Sequence, residues 1–405
     1  MTQTLHLPVL PAKSAPAPCV DLASASAGCE TLNPALYDEL QTLGVRWPVG
    51  LELGVGRIGG AGPSDHKAIQ LGGQTLMVPV FTQRAASSPF ALEVSRSSDG
   101  GAAEAVLTRD GTPISMVRFP RVPAFYALST AAGVPYFKIA TLHSDRVLAT
   151  TVLQNCVRFA KRETSCQFCA IGQSLSGQRT IPRKTPGDLA EVAEAAVRLD
   201  GVEHMVLTTG TPPTPDRGAR LLEESARAIR ACVALPLQAQ CEPPEDFSWF
   251  QRLKAAGVDS LGMHLEAVTE PVRQRIMPGK AEVSVERYYA AFEAAVAVFG
   301  RGQVTTYVLA GLGDSADAIV LAARDLARLG VYSFVVPFVP ISGTPLADHP
   351  APEAGFMREV LDRVARELSS AGLFSQDIHA GCGRCGACST LRSRERPSHG
   401  GAFGA

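Results

Sequence analysis

Residues 163–172 read ETSCQFCAIG, placing Cys166 and Cys169 three positions apart with Phe168 wedged before the second. A third cysteine, Cys156, stands ten positions upstream of Cys166 in QNCVRFAK. Structural zinc almost always takes four ligands, usually as two separated pairs. Three thiolates on one loop with no fourth nearby instead suit a 4Fe-4S cube whose remaining iron stays open to another ligand. Phe168 would shield such a cluster or stack on a cofactor.

The texture of the chain changes at this loop. Before it, from about residue 33 to 145, short β-branched and aromatic runs (LMVPVFT, FALEVSRS, AEAVLTRDG, ISMVRFP, YFKIATL) are split by Gly, Pro and Asp-Gly turns, which predicts a small antiparallel domain. Residues 1–32, rich in Ala, Ser and Pro, read as an irregular arm. After the loop, helical stretches such as PGDLAEVAEAAVRLD, ARLLEESARAIRACV and ERYYAAFEAAVAVFG alternate with apolar strands HMVLTTG, LPLQAQC, SLGMHLEA, VTTYVLAG and YSFVVPFVP. That alternation predicts βα units around a parallel sheet, with ligands at the C-terminal strand ends. About six units are countable from ATTVLQNC onward, fewer than the eight of a closed barrel. The reading divides the chain into 1–32, 33–145, a partial barrel at 146–348, and a C-terminal helix and Cys-rich segment at 349–405 with a loose tail.

Composition narrows the function. A net charge of −1 over 405 residues offers little phosphate neutralisation, so a nucleic-acid partner is not expected. No apolar run reaches the length of a membrane span. The N-terminus lacks a basic stretch followed by a continuous apolar one, which points to the cytoplasm. Ten cysteines in such a chain read as metal ligands where they cluster and as small packing residues where they stand alone, as at Cys232 and Cys241.

The cysteine loop and the motifs after it together resemble the radical S-adenosylmethionine (radical SAM) superfamily, in particular its biotin-synthase-like and maturase-like branches. Phe168-Cys169 matches the second half of that family's Cys-x3-Cys-x-aromatic-Cys motif. The first half departs, with nine residues instead of three between Cys156 and Cys166. The resemblance spans roughly residues 145–348. LTTGTPPTPD is similar to the family's Thr-Gly-Gly-Glu-Pro strand end, which implies Thr209, Gly210 and Thr211 at the methionine amino group. GMHLEAVTEPVRQRIMPGK…SVERYY resembles the fourth unit, which implies Glu266 and Arg287 at the methionine moiety. YVLAGLGDS resembles the turn by the adenine, implying Gly311 with Asp314 as the acid, and VPFVPISGTPL matches a sixth-strand segment that includes Val339. Gln240 and Glu242, ending the third strand, would reach the ribose. The resemblance implies a 4Fe-4S cluster on Cys156, Cys166 and Cys169, S-adenosylmethionine, and a 5′-deoxyadenosyl radical that abstracts hydrogen from a small molecule. It also implies a one-electron donor such as a ferredoxin or flavodoxin. His264 and Tyr307, on strands, are candidates for substrate contact, as is His204. In general texture the chain is similar to radical SAM proteins encoded with bacterial nitrilase gene clusters, an association that points to a small nitrogen-containing metabolite. Sulfur insertion, RNA modification and a non-catalytic iron–sulfur or zinc protein are the rival readings.

A second triplet, Cys382, Cys385 and Cys388 in HAGCGRCGACS, follows the helical stretch PEAGFMREVLDRVARELSSAG. Cys-x2-Cys-x2-Cys with glycines between lets three thiolates wrap one cluster, as in a ferredoxin motif. A second 4Fe-4S cluster is the expected occupant. Zinc, with His379 or a distant cysteine as fourth ligand, and a metal-free redox thiol pair are the alternatives.

Overall fold

The computed structural model describes residues 34–48, 56–57, 65–95 and 104–395. The arm expected at 1–32, with Cys19 and Cys29, lies outside them. Helix α1 (Pro34–Leu43) packs on an antiparallel sheet of β1 (Gly56–Arg57), β2 (His66–Leu71), β3 (Gln74–Pro79), β4 (Phe90–Ser95), β5 (Glu104–Arg109) and β6 (Thr112–Arg118), with a single turn, α2 (Gln83–Ala86), before β4. The order is β1-β2-β6-β5-β4, with β3 paired to β2. The β5–β6 hairpin turns on Asp110 (φ 50°) and Gly111 (φ 81°), the left-handed pair an Asp-Gly turn requires.

The second sheet is the barrel. Its order is β13-β12-β11-β10-β9-β8-β7, an open path in which β8 (Val147–Thr151), β9 (His204–Thr208), β10 (Leu237–Gln240), β11 (Ser260–Gly262), β12 (Val304–Ala310) and β13 (Val331–Pro337) run parallel. The antiparallel strand β7 (Thr141–Leu142) covers the β8 edge. These are the six expected units. β13 is buried along nearly its whole length, as a strand covered on both faces must be, and so reads as an unbroken apolar run.

Helices follow the strands: α3 (Ile171–Ser176) and α4 (Pro186–Asp200) after β8, α5 (Ala219–Cys232) after β9, α6 (Trp249–Ala255) after β10. After β11 come α7 (Glu270–Ile276), α8 (Pro278–Ala281) and α9 (Val285–Phe299); α10 (Ala316–Leu329) follows β12, and α11 (Ala354–Ser370) and one-turn α12 (Cys382–Cys385) follow β13. α4 shows why these boundaries are written in the sequence. Thr185 and Asp188 form a reciprocal capping box, Pro186 takes the first helical position, and Gly201 ends the helix in the left-handed region. Leu189, Val192, Ala193 and Ala196 then face the sheet.

The structure departs from the sequence reading at several points. YFKIATL is not a strand: Pro135 starts a 3-10 turn at Tyr136–Lys138, and only Thr141–Leu142 pair. Phe125, Tyr136, Ile139 and Leu142 lie in the barrel's core, so the packing boundary falls before Phe125. Cys232, expected to pack, is exposed at the end of α5, whereas Cys241 packs in the core. Nor are residues 389–395 loose: Leu391 is fully buried, and Glu395 accepts from Ser375 N at 2.9 Å.

Candidate active site

Side chains on the β strands alternate faces. Met205, Leu207, Leu237 and Ala239 meet the helices, so His204, Gln238, Gln240, Ser260, Thr305 and Tyr307 face the lumen. The first cysteine triplet lies at the C-terminal mouth of that lumen. Cys156 leaves β8, and Cys166 and Cys169 return after a nine-residue excursion clamped from both sides. Val157 N donates to Thr211 O at 2.8 Å, Gln167 N to Ile276 O at 2.8 Å, and Gly279 N to Thr164 O at 3.1 Å. Gly210 sits so close to the Asn155 carbonyl that a Cβ there would collide with it, while Gly210 N donates to Leu153 O at 2.8 Å. The turn after β9 is thus fastened to the cluster loop by backbone. Cys166 and Phe168 pack against Ala267, Val272, Ile276, Met277, Leu312 and Phe338.

Charges line this mouth. Thr211 Oγ1 donates to Glu242 Oε1 at 2.8 Å, and Glu242 pairs with Arg158 at 3.3 Å and Arg217 at 3.7 Å. Arg158 also pairs with Glu282. Glu266, in the left-handed region at φ 64°, pairs with Lys280 at 2.9 Å. A charged residue held in that conformation marks stored strain, which clusters at functional sites. Burial disfavours the charged form of Lys280, yet Glu266, Tyr288, Cys166 and Glu242 around it hold its pKa above the usual lysine value. Burial, then Glu266, pushes the Cys166 thiol well up, and burial pushes Cys169 to about 12, with the thiols in one another's fields.

The mouth also carries unspent hydrogen-bond donors. Arg158 Nε, Arg217 Nε and the Tyr288 hydroxyl are buried with no partner. Buried donors are nearly always satisfied, so these three ask for acceptors from outside the chain. The carboxylate and ribose oxygens of S-adenosylmethionine supply such acceptors, and three thiols with no fourth beside them suit a cube with one open iron. The residues present therefore fit both groups. Among the described residues no three His, Cys, Asp or Glu side chains converge tightly enough for a single ion.

The remaining expected residues are distributed as follows. Thr209, Gly210, Thr211, Glu242 and Glu266 all lie at C-terminal strand ends near the triplet. Gly311 turns the chain after β12, where His349 Nε2 lies 2.9 Å from its carbonyl, and Val339 is half-buried after β13. Asp314 is engaged in holding the β11 exit, accepting from Val268 N at 2.7 Å and Thr269 Oγ1 at 2.6 Å. Arg287 lies apart: its guanidinium donates to Glu245 O at 2.7 Å and sits 4.0 Å over Phe247. Gln240 faces away from the first triplet and donates to Gln238 Oε1 at 2.7 Å and Cys382 Sγ at 3.4 Å.

That contact introduces the lower half of the lumen, which the second triplet fills. Backbone N–H groups of residues 379–382 donate in turn to Gln303 Oε1 (3.0 Å), Ser260 Oγ (3.3 Å), His204 Nδ1 (3.2 Å) and Gln238 Oε1 (3.3 Å), at or near the N-terminal ends of β9 to β12. Gly381, at φ 113°, has no room for a Cβ against Gln238. Cys385 Sγ donates to Ser144 Oγ at 3.4 Å, and Cys388 Sγ lies 3.5 Å from His143 Nε2. The Tyr307 hydroxyl reaches Cys382 and Cys388, while its ring meets His264 edge-on at 5.2 Å. The N-terminal sheet seals this end: Met77 N donates to Ala387 O at 2.8 Å, and Gln41 Nε2 to the same oxygen at 3.0 Å. At the β8 edge, beside the cluster loop, a cavity of about 230 Å³ is lined by Tyr126, Phe137, Thr151, Gln154 and Lys184 among others.

Sequence reasoning missed Lys280, Arg158, Arg217, His143 and Ser144. Lys280 stood in the quoted IMPGK and was findable as a basic residue beside the fourth-unit motif. His143 lies 239 positions before Cys382, and nothing local marks it.

The sequence agrees with this arrangement: residues 160–326 match the radical SAM superfamily, so the chain carries a radical SAM domain. Among individual proteins, it is 27% identical over 223 residues to the bacteriochlorophyllide c C-7(1)-hydroxylase of Chlorobaculum limnaeum. That match covers 50% of this chain and 54% of the relative, so the chain spans about half the length of the curated relative it matches. Among solved structures, methylornithine synthase aligns at 17% identity and a TM-score of 0.44 over 62% of this chain and 70% of that one. The FeFe-hydrogenase maturase HydG aligns at 15% identity and 0.42, over 57% of this chain and 52% of that one. Among the described residues no helix is long and apolar enough to cross a membrane.

Proposed function

We propose that the chain acts on a small molecule held in the lumen between its two cysteine triplets, and that the mouth above binds the cofactors. The observation that carries this reading is the convergence at one lumen mouth of Cys166, Cys169, the Glu266–Lys280 pair and the orphaned donors around Glu242. When bound, a 4Fe-4S cluster and S-adenosylmethionine supply a one-electron cleavage that yields a 5′-deoxyadenosyl radical, which takes hydrogen from the substrate. Cys156, Cys166 and Cys169 would hold the cluster. Lys280 and Glu266 would bind the methionine end, and Glu242 with Arg158 and Arg217 the ribose side. Phe168 and its apolar neighbours keep water from the thiols.

Gln240, His264 and Tyr307 form the wall between the triplets and would touch the substrate. His264 accepts the Tyr307 N–H at Nδ1 (3.2 Å), and burial, then the Lys280 charge, lowers its pKa to about 3, so it meets a substrate as a neutral imidazole. The second triplet would hold a further 4Fe-4S cluster. A protein one-electron donor would serve the first. All eight described cysteines are free thiols, which supports a reducing compartment such as the cytoplasm. Protein reconstituted anaerobically with iron and sulfide, given S-adenosylmethionine and dithionite, should form 5′-deoxyadenosine. If it forms no more than a Cys166→Ala/Cys169→Ala control, the reading is wrong.

A further inference from the structure

The second triplet needs a fourth donor if it is to close a centre, and the sequence offers His379 nearby. The structure takes His379 out of contention: its side chain is exposed and its backbone N–H is held by Gln303. The turn between β7 and β8 comes to the thiols instead. His143 N donates to Val147 O at 2.8 Å, which closes that turn as a tight hairpin and fixes the residues on it. Two successive side chains then reach two thiols: Ser144 Oγ at Cys385 and His143 Nε2 at Cys388. Cys382 faces the opposite side, toward Gln240 and Tyr307. Ala68 and Met77 of the N-terminal sheet close the site against Ala387.

We infer that His143 is the fourth ligand of an iron–sulfur centre held by Cys382, Cys385 and Cys388; the inference rests on the reading that this triplet holds a cluster. Imidazole replaces thiolate on iron in known cluster types, whereas a serine hydroxyl and a glutamine amide are poor iron donors. The Tyr307 hydroxyl reaches Cys382 and Cys388 and is placed to donate to their thiolates. The consequence is functional. A centre closed by His143 has no open iron for substrate, so a molecule in the lumen meets it only through Cys382, Gln240 and Tyr307. Its role is then to pass or accept an electron.

The test uses the full chain carrying Cys166→Ala/Cys169→Ala, so that only the lower site can load. After anaerobic reconstitution with iron and sulfide it should retain about four irons. Its reduced pulsed-EPR spectrum should show a directly bound ¹⁴N coupling that converts to ¹⁵N in protein made with ¹⁵N-histidine. His143→Cys in the same background keeps four donors, so it should retain that iron and lose the nitrogen coupling. His143→Ala should lose the coupling as well, with iron or without. Iron present without a histidine coupling, or a coupling that survives both substitutions, overturns the inference alone. Zinc or no metal in the background protein overturns the cluster reading beneath it.

Discussion

At the C-terminal ends of β10 and β11 the lumen wall carries formal charge: Glu242 with Arg158 and Arg217, and Glu266 with Lys280. At or near the N-terminal ends of β9 to β12 the contacts come from neutral groups, His204, Gln238, Ser260 and Gln303, and their partners are the chain's own backbone at residues 379–382. The upper end leaves buried donors unpaired, and the lower end is nearly self-satisfied. That contrast fits the proposed cofactor mouth above and a base that holds the chain's own segment 379–382 below. The upper triplet also sits beside the Glu266–Lys280 ion pair, whereas the charges near the lower one are the arginines Arg384 and Arg392.

The largest effect expected from breaking this contrast is on turnover. Cys166→Ala/Cys169→Ala should bring 5′-deoxyadenosine formation to background while leaving about four irons in the lower site. Cys382→Ala/Cys385→Ala/Cys388→Ala should do the converse to the metal, emptying the lower site while the protein still forms 5′-deoxyadenosine without substrate. Iron counting and product chromatography on the two proteins measure this. Loss of both centres in either variant would mean that the two ends are not independent.

The next effect is on the upper charges. Removing one partner of a buried pair leaves the other charge uncompensated, so Lys280→Met should cost about 3 kcal/mol in urea unfolding of the apoprotein. Adding Glu266→Gln should recover most of that stability. It should not recover the change that S-adenosylmethionine makes in the cluster's EPR spectrum, because the ligand's counter-charges are gone. If the double variant keeps that spectral response, the pair is structural only.

What could be read from the sequence follows this same division. The six βα units were legible because each carries its own signals, such as the Thr185–Asp188 box, Pro186 and Gly201 around α4. The cysteine loop and Glu266 were legible because a local pattern places them at strand ends. The balance of charges was not. Arg287 carried the fourth-unit resemblance, but in the structure Lys280 on α8 occupies the place beside Glu266, because Pro278 starts a separate turn clamped to Thr164. The lower site was legible only as three cysteines. That they enter the lumen from below, meet Gln240 and draw His143 from the β7–β8 hairpin depends on contacts between residues more than a hundred positions apart, which no spacing encodes.

A moderate effect is expected at the base, from pH. His204 accepts the Gly381 N–H at Nδ1, and burial, then the Arg384 charge, lowers its pKa from the ordinary 6.5 to about 4. The fold therefore holds it neutral. The unfolded chain binds the proton first, so the stability this residue contributes is complete above pH 6.5 and is lost as pH falls from there toward 4. By pH 5 the loss is roughly 2 kcal/mol. His204→Asn offers an acceptor near the Nδ1 position and does not titrate. Its urea-unfolding free energy should fall less than that of the wild type between pH 7 and 5; equal slopes would remove His204 from the account.

The smallest effect is expected at Arg287, and it tests which basic residue serves the mouth. Its guanidinium is half-exposed, bonded to the carbonyls of Pro244 and Glu245 and stacked over Phe247. Such contacts at a partly wet site are worth about 1 kcal/mol. Arg287→Ala should lower the unfolding free energy by about that much and weaken S-adenosylmethionine binding, read from the EPR titration, less than 10-fold, because the loop after β10 loosens without losing a charge at the cluster. Lys280→Met should weaken the same titration far more. If the two substitutions exchange ranks, the α9 arginine implied by the family resemblance reaches the cofactor after all, and the loop from Pro244 to Phe247 must swing aside when it binds.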